Sequence, residues 1–127
     1  MHQNFIRFVL DDKEIEIDFK SDSVSPTTTV LNYLRNLPFH KGVKEGCAEG
    51  DCGACTVVVA EENKNNITYK AIDSCLLFLL QIHGKQLITV ENLSAPMVGT
   101  QTGAEVLHSV QQAMVDTNGS QCGFFTP

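Results

Sequence analysis

Residues 42–60 read GVKEGCAEGDCGACTVVVA, and a fourth cysteine, Cys75, follows the third after nineteen intervening residues. The first three are spaced Cys47-x4-Cys52-x2-Cys55. Thr56 to Ala60 is a short apolar run that predicts a buried strand. The polar stretch Glu61 to Asn66 predicts a turn, and Ile67-Thr68-Tyr69 resumes as a strand. A strand leaving Cys55 and returning through Ile72 over a matched length brings Cys75 back beside Cys55. One loop therefore presents three thiols, and the return arm of a hairpin presents the fourth. Gly46, Gly50 and Gly53 permit backbone angles that other residues avoid. The loop can then turn its N–H groups toward sulfur, as in an anion-binding nest.

This spacing is the plant-type pattern for a [2Fe–2S] cluster, in which four thiolates hold two irons. Zinc is the competing occupant, but its sites usually present two close ligand pairs, and only Cys52 and Cys55 form such a pair. Ordinary reduced thiols are the third possibility; they leave three cysteines within nine residues, among three glycines, without a purpose. Negative charge on Glu45, Glu49 and Asp51 opposes adding an electron, and Lys41 and Lys44 offset it. No histidine falls inside the loop, so a Rieske centre is not indicated. His40 and His83 read as structural or solvated residues near element ends, and His108 as a surface residue of the last helix. No paired carboxylates, nucleophile triad or phosphate loop stands out, so this chain shows no substrate-transforming site.

Working outward, the 127-residue length allows one domain, or one domain and part of another. The 43% hydrophobic content suits a chain with a real core. A net charge of −6 argues against a nucleic-acid surface, which is basic. The longest apolar run, Leu76 to Leu80, is far short of the ~20 residues a membrane helix needs. No secretory signal is visible at the N-terminus, so a cytoplasmic location is expected. Clustered cysteines in that compartment point to metal or redox chemistry rather than disulfides. Ile6, Phe8 and Leu10, then Ile15, Ile17 and Phe19, flank Asp11-Asp12-Lys13 and predict a β-hairpin. Val30, Leu31, Leu34 and Leu37 recur at helical spacing after a hydroxyl-rich Ser25–Thr28 start, and Pro38 and Gly42 end that helix. Cys75 to His83 reads as a short buried helix ending at Gly84, and Gln86 to Val90 as a strand. Ser94 to Gly103 reads as a linker. Ala104 to Asp116 is expected to be a helix with Val106, Leu107, Val110, Ala113 and Met114 on one side, stopped by Asn118-Gly119.

The stretches LNYLRNL, KEGCAEGDCGACTVVV, CLLFLLQIHGKQLITVE and HSVQQAMVDTNGSQCGF resemble the iron–sulfur subunit of the xanthine dehydrogenase family of molybdenum hydroxylases. The resemblance runs from about Asn4 to Pro127, and EGCAEGDCGACTV is its most specific part. It implies an α+β fold: a β-grasp ferredoxin-like domain over residues 1–93, a linker over 94–103, and over 104–127 the start of a helical domain of four-helix-bundle type. Cys47, Cys52, Cys55 and Cys75 would hold the [2Fe–2S] cluster nearer the flavin, in a loop shaped by Gly46, Gly50 and Gly53. Gln121 matches a glutamine that lies against molybdopterin in the family. Electrons would pass from the molybdenum cofactor toward FAD, with those two groups on partner chains or on other domains.

The chain departs from the family pattern in two ways. Cys122 matches the first ligand of a second cluster, but Phe125 stands where the family has cysteine, and the later C-x-C pair lies beyond Pro127. One thiolate cannot hold a four-ligand cluster, so one cluster per chain is expected. The apolar stripe of the last helix is expected to be covered by a partner or by a second copy. The leading functional expectation is an electron-transfer component of a molybdenum hydroxylase, most specifically xanthine dehydrogenase. A free-standing ferredoxin-like carrier is the alternative, followed by a zinc-bound or purely interacting module.

Overall fold

The computed structural model describes residues 4–96 and 105–127. A five-stranded mixed sheet is built in the order β2-β1-β5-β3-β4. β1 (Phe5–Leu10) and β2 (Lys13–Asp18) form the expected hairpin, with Phe8 opposite Ile15. Asp11 makes the turn at a φ of +56°, a conformation that aspartate tolerates better than most residues. β3 (Thr56–Asn63) and β4 (Asn66–Asp73) form a second hairpin, paired in unbroken register from Thr56–Asp73 to Asn63–Asn66. Its turn is only Lys64-Asn65, both at positive φ, which is the tight two-residue connection that suits the twist of a hairpin. β3 therefore extends further into the polar stretch than composition suggested. β5 (Gln86–Ile88) joins the hairpins, parallel to β1 and antiparallel to β3.

Helix α1 (Val30–Asn36) closes one face of the sheet. The Thr29 side chain caps it by accepting from the Asn32 N–H at 3.2 Å. Its Val30, Leu31 and Leu34 are buried against Ile6, Phe8, Leu10, Ile17, Val57, Val59 and Leu87. This agrees with the ferredoxin-like half of the expected α+β fold.

Two regions differ from the sequence expectation. Cys75 to His83 is not one helix but two 3-10 turns, Ser74–Leu76 and Leu79–Ile82. Between them the backbone runs extended against the start of α1: the Val30 N–H donates to the Leu77 carbonyl and the Leu79 N–H to the Thr28 carbonyl. An extended path has a two-residue period, so Cys75, Leu77 and Leu79 point inward while Leu76, Phe78 and Leu80 face solvent. A run of apolar residues alone cannot distinguish that path from a buried helix. The second difference is at the end of the chain. β6 (Ala95–Pro96), inside the expected linker, pairs with β7 (Glu105–Val106), inside the expected helix, and residues 97–104, with the rest of the linker and the expected helix start at Ala104, lie outside the described residues. The last helix, α2 (Ser109–Asp116), consequently starts later than expected. His108 is exposed, as expected of a surface residue, and it also caps α2, its ring nitrogen accepting from the Val110 N–H. Gln111 fastens α2 to the 3-10 turn Val90–Leu93 by donating to the Val90 carbonyl at 3.1 Å. Val110, Met114 and Val115 of α2 remain exposed.

Candidate metal centre

The loop from Gly42 to Ala54 is held at both ends before its cysteines are placed. Arg35 Nη1 donates to the Val43 carbonyl at 2.7 Å, and the Lys44 N–H donates to the Ala54 carbonyl at 2.9 Å. The Gly42 N–H donates to Glu91 Oε1 at 2.6 Å. Nearby, His40 Nε2 meets Asp11 Oδ2 at 3.0 Å, and Asp11 also accepts from the N–H and hydroxyl of buried Thr89. His40 thus has a structural role, in a network that ties the loop entrance to the β1–β2 turn and to the end of β5. His83 is structural too, accepting from the Arg7 N–H.

Between these anchors the backbone winds around sulfur. Cys47 Sγ accepts three N–H groups, those of Glu49, Asp51 and Cys52, each at 3.4 Å. Such convergence needs left-handed backbone, which Ala48 (φ +57°) and Gly50 (φ +79°) supply. Cys52 Sγ accepts from the Ala54 N–H at 3.5 Å, next to Gly53 at φ +70°. Gly46 is needed for space instead: a Cβ there would lie 2.8 Å from Cys52 Sγ and 2.3 Å from the Phe125 ring. Gly50 and Gly53 thus supply left-handed backbone, whereas Gly46, which has no positive φ, supplies space.

The hairpin returns the fourth thiol as the spacing predicts. Ser74, directly after β4, donates both its N–H and its hydroxyl to the Cys55 carbonyl, at 3.2 and 2.6 Å. This clamp sets Cys75 beside Cys55, and the Cys75 thiol also meets the Gly50 N–H. Sequence reading missed Ser74; its position just past the hairpin arm and before a cysteine was the only available signal. Cys55 and Cys75 are buried, Cys47 is half-buried and Cys52 is exposed.

The electrostatics differ across the site. The three backbone N–H groups lower the Cys47 thiol to about 7. Burial, followed by the neighbouring Cys55 thiol, raises Cys75 to about 11. The loop thus stabilises negative charge on sulfur at Cys47, while Cys75 favours its thiolate only with a cation to offset it. The Lys41 and Lys44 ammonium groups are drawn to backbone carbonyls, those of Arg35 and Lys41. All five cysteines are free thiols. Among the described residues no three acidic, histidine or cysteine side chains converge on one point as ligands of a single ion; a two-iron cluster asks instead for thiolates in pairs. An all-sulfur donor set in a loop lined with N–H groups fits such a cluster. Cys122 and Gln121 are exposed on the segment after α2. Phe125 of the same segment lies against the cysteine loop at Gly46.

The comparisons agree with this geometry. Residues 9–77 match the 2Fe-2S iron-sulfur cluster binding domain family. The chain is 40% identical over 124 residues to a xanthine dehydrogenase of Emericella nidulans, covering 96% of this chain and 8% of that protein. It is 41% identical over 112 residues to the abscisic-aldehyde oxidase of Arabidopsis thaliana, covering 86% of this chain and 8% of that protein. The chain thus spans less than a tenth of these relatives' length. Among solved structures it resembles the aldehyde oxidoreductase of Desulfovibrio desulfuricans, with a TM-score of 0.71 and 26% identity over 98% of this chain and 12% of that one. It also resembles quinoline 2-oxidoreductase of Pseudomonas putida 86, with a TM-score of 0.70 and 27% identity over 94% of this chain and 61% of that one. The cysteine spacing, the sulfur-directed loop and a family match covering most of the sheet and α1 lead to one conclusion: the chain belongs to the 2Fe-2S iron-sulfur cluster binding domain family.

Proposed function

We propose that the chain is the electron-transfer component of a molybdenum hydroxylase of the xanthine dehydrogenase type, with one [2Fe–2S] cluster held by Cys47, Cys52, Cys55 and Cys75. The observation that carries this reading is the joining of two elements, a loop that aims three N–H groups at Cys47 Sγ and a hairpin clamped so that Cys75 returns to Cys55. When bound, the cluster supplies a site that accepts and releases one electron at a time. The chain's own residues orient the thiolates, place amide dipoles against them and bury the Cys55–Cys75 side. Residues 1–93 serve as the ferredoxin-like domain and 104–127 as the beginning of a helical one. Partner domains or subunits carry FAD and the molybdopterin cofactor, with Gln121 facing the latter. The exposed apolar side of α2 is covered by such a partner or by a second copy. Among the described residues no helix is long and apolar enough to cross a membrane, and the proposed location is cytoplasmic. The single Cys122, with Phe125 in place of a ligand, also suits a free-standing ferredoxin-like carrier.

The test is iron and acid-labile sulfide per chain after anaerobic purification, with EPR after dithionite reduction. About two irons, two sulfides and one rhombic S = 1/2 signal are expected, with the signal altered or lost in Cys75→Ser. Stoichiometric zinc, or a spectrum untouched by Cys75→Ser, would overturn the ligand assignment. Co-purification with flavin- or molybdopterin-containing chains separates the enzyme component from the free carrier.

A further inference from the structure

Cys52 is the most exposed of the four thiols at the site, so it is where water first reaches anything bound there. Its Gly46 side is nevertheless covered. The edge of the Phe125 ring and Cys52 Sγ both lie within 2.8 Å of the point where a Gly46 Cβ would sit. The tail is shaped to bring the ring there. Gly123 at φ +78° reverses the chain, and the Ser120 and Thr126 hydroxyls meet at 3.1 Å across the bend. Phe124 packs edge-to-face on Phe125, with ring centroids 5.1 Å apart. On another side of the loop, Leu76 Cδ1 lies 2.4 Å from where a Gly50 Cβ would sit. Leu76 is brought there by sequence, as the neighbour of Cys75, whereas Phe125 arrives from a segment seventy residues further along the chain than Cys55.

We propose that Phe125 is a shielding residue for the cluster: the tail lays its ring edge against Gly46, beside the Cys52 thiolate, and limits water on that side of a thiol that is otherwise open. The inference rests on the ligand reading above. A ring edge near sulfur is a favourable contact. An apolar cover also disfavours added negative charge, and reduction adds one. Phe125 therefore slows loss of the cluster and lowers its reduction potential. Gly46 is part of the same device, because any side chain there would lift the ring off.

The experiment compares the 127-residue chain with Phe125→Ala, Phe125→Leu and Phe124→Ala. After anaerobic reconstitution, iron and sulfide are counted, the potential is measured by EPR-monitored titration, and cluster loss to a chelator is followed by absorbance. Phe125→Ala is expected to hold the same initial iron, to lose it roughly two- to tenfold faster, the range that a sulfur–aromatic contact carries, and to show a less negative potential. Phe125→Leu restores most of the cover and lies near the unaltered chain. Phe124→Ala changes the potential less than Phe125→Ala. In the iron-free, reduced chain, Phe125→Ala exposes Cys52 to a bulky maleimide faster, while Cys75 is unaffected. Equal potentials and equal Cys52 labelling in Phe125→Ala and the unaltered chain would overturn the proposal. An unaltered chain that binds no iron, but whose Cys52 is still protected by Phe125, would overturn the ligand reading and leave the ring's shielding of Cys52 standing.

Discussion

Replacing Gly50 by alanine separates the two costs that the cysteine loop avoids by using glycine. At φ +79° an alanine pays a left-handed penalty of ~1–2 kcal/mol. Its Cβ would also lie 2.4 Å from Leu76 Cδ1. Leu76 is exposed and its side chain can swing, so this second cost is that of a displaced rotamer, ~0.5–1.5 kcal/mol. Gly53 isolates the first cost. It has φ +70°, and the nearest atom to an added Cβ is Thr56 Oγ1 at 3.7 Å, an ordinary contact. Gly53→Ala is thus expected to weaken iron retention against a chelator roughly 5- to 30-fold, and Gly50→Ala about tenfold to a few hundredfold. Gly84→Ala is the control: its φ is +72° with nothing near an added Cβ, and Gly84 lies at the end of a 3-10 turn away from the cysteine loop. It should lower the urea midpoint of the fold by a similar energy but leave relative iron retention unchanged. The assay is anaerobic competition between holo chain and chelator, followed by visible absorbance, alongside urea unfolding by circular dichroism. If Gly53→Ala retains iron within about twofold of the unaltered chain, backbone strain is not what glycine relieves in this loop. If Gly50→Ala is no worse than Gly53→Ala, the Leu76 contact carries no weight.

Other consequences follow from the hydrogen bonds. Ser74→Ala removes the hydroxyl but leaves the Ser74 N–H on the Cys55 carbonyl, so about 0.5–1.5 kcal/mol of stability should be lost in urea unfolding, with faster cluster release. Asp11→Ala strands the N–H and hydroxyl of Thr89, which is 2% exposed, and should cost ~2–4 kcal/mol; Asp11→Asn should cost less, because it keeps an acceptor and tolerates the positive φ. In the iron-free chain, the rate of Cys47 alkylation should rise with a midpoint near pH 7, while Cys75 stays protonated to about pH 11, read by mass spectrometry. Because the folded Cys47 value lies below the ordinary thiol value of 9.0, the stability it adds is present above pH 9 and is lost as pH falls through about 7. Thr29→Ala should destabilise the fold by ~0.5–2 kcal/mol through the lost cap of α1.

The site was legible in the sequence because its parts are local. Cys47, Cys52 and Cys55 share one short loop, and the reach of Cys75 follows from counting a hairpin whose arms must match. The strands and α1 were legible for a related reason: Ile6, Phe8 and Leu10, or Val30, Leu31 and Leu34, repeat at the period of the element that buries them. Tertiary structure decided what periodicity could not. Leu76 to Leu80 carries no alternation of residue type, so only the pairing of Leu77 and Leu79 with Thr28 and Val30 selects an extended path over a helix. His40, Asp11, Thr89 and Glu91 are ordinary polar residues scattered through the chain; folding makes them a network anchoring the loop entrance. The same holds for Phe125, whose closeness to Cys52 depends on how the tail bends at Gly123 and is invisible along the chain. Short-range spacing is constrained by bond geometry and can be read residue by residue. Long-range contact is set by how the whole chain packs, and only the folded molecule shows it.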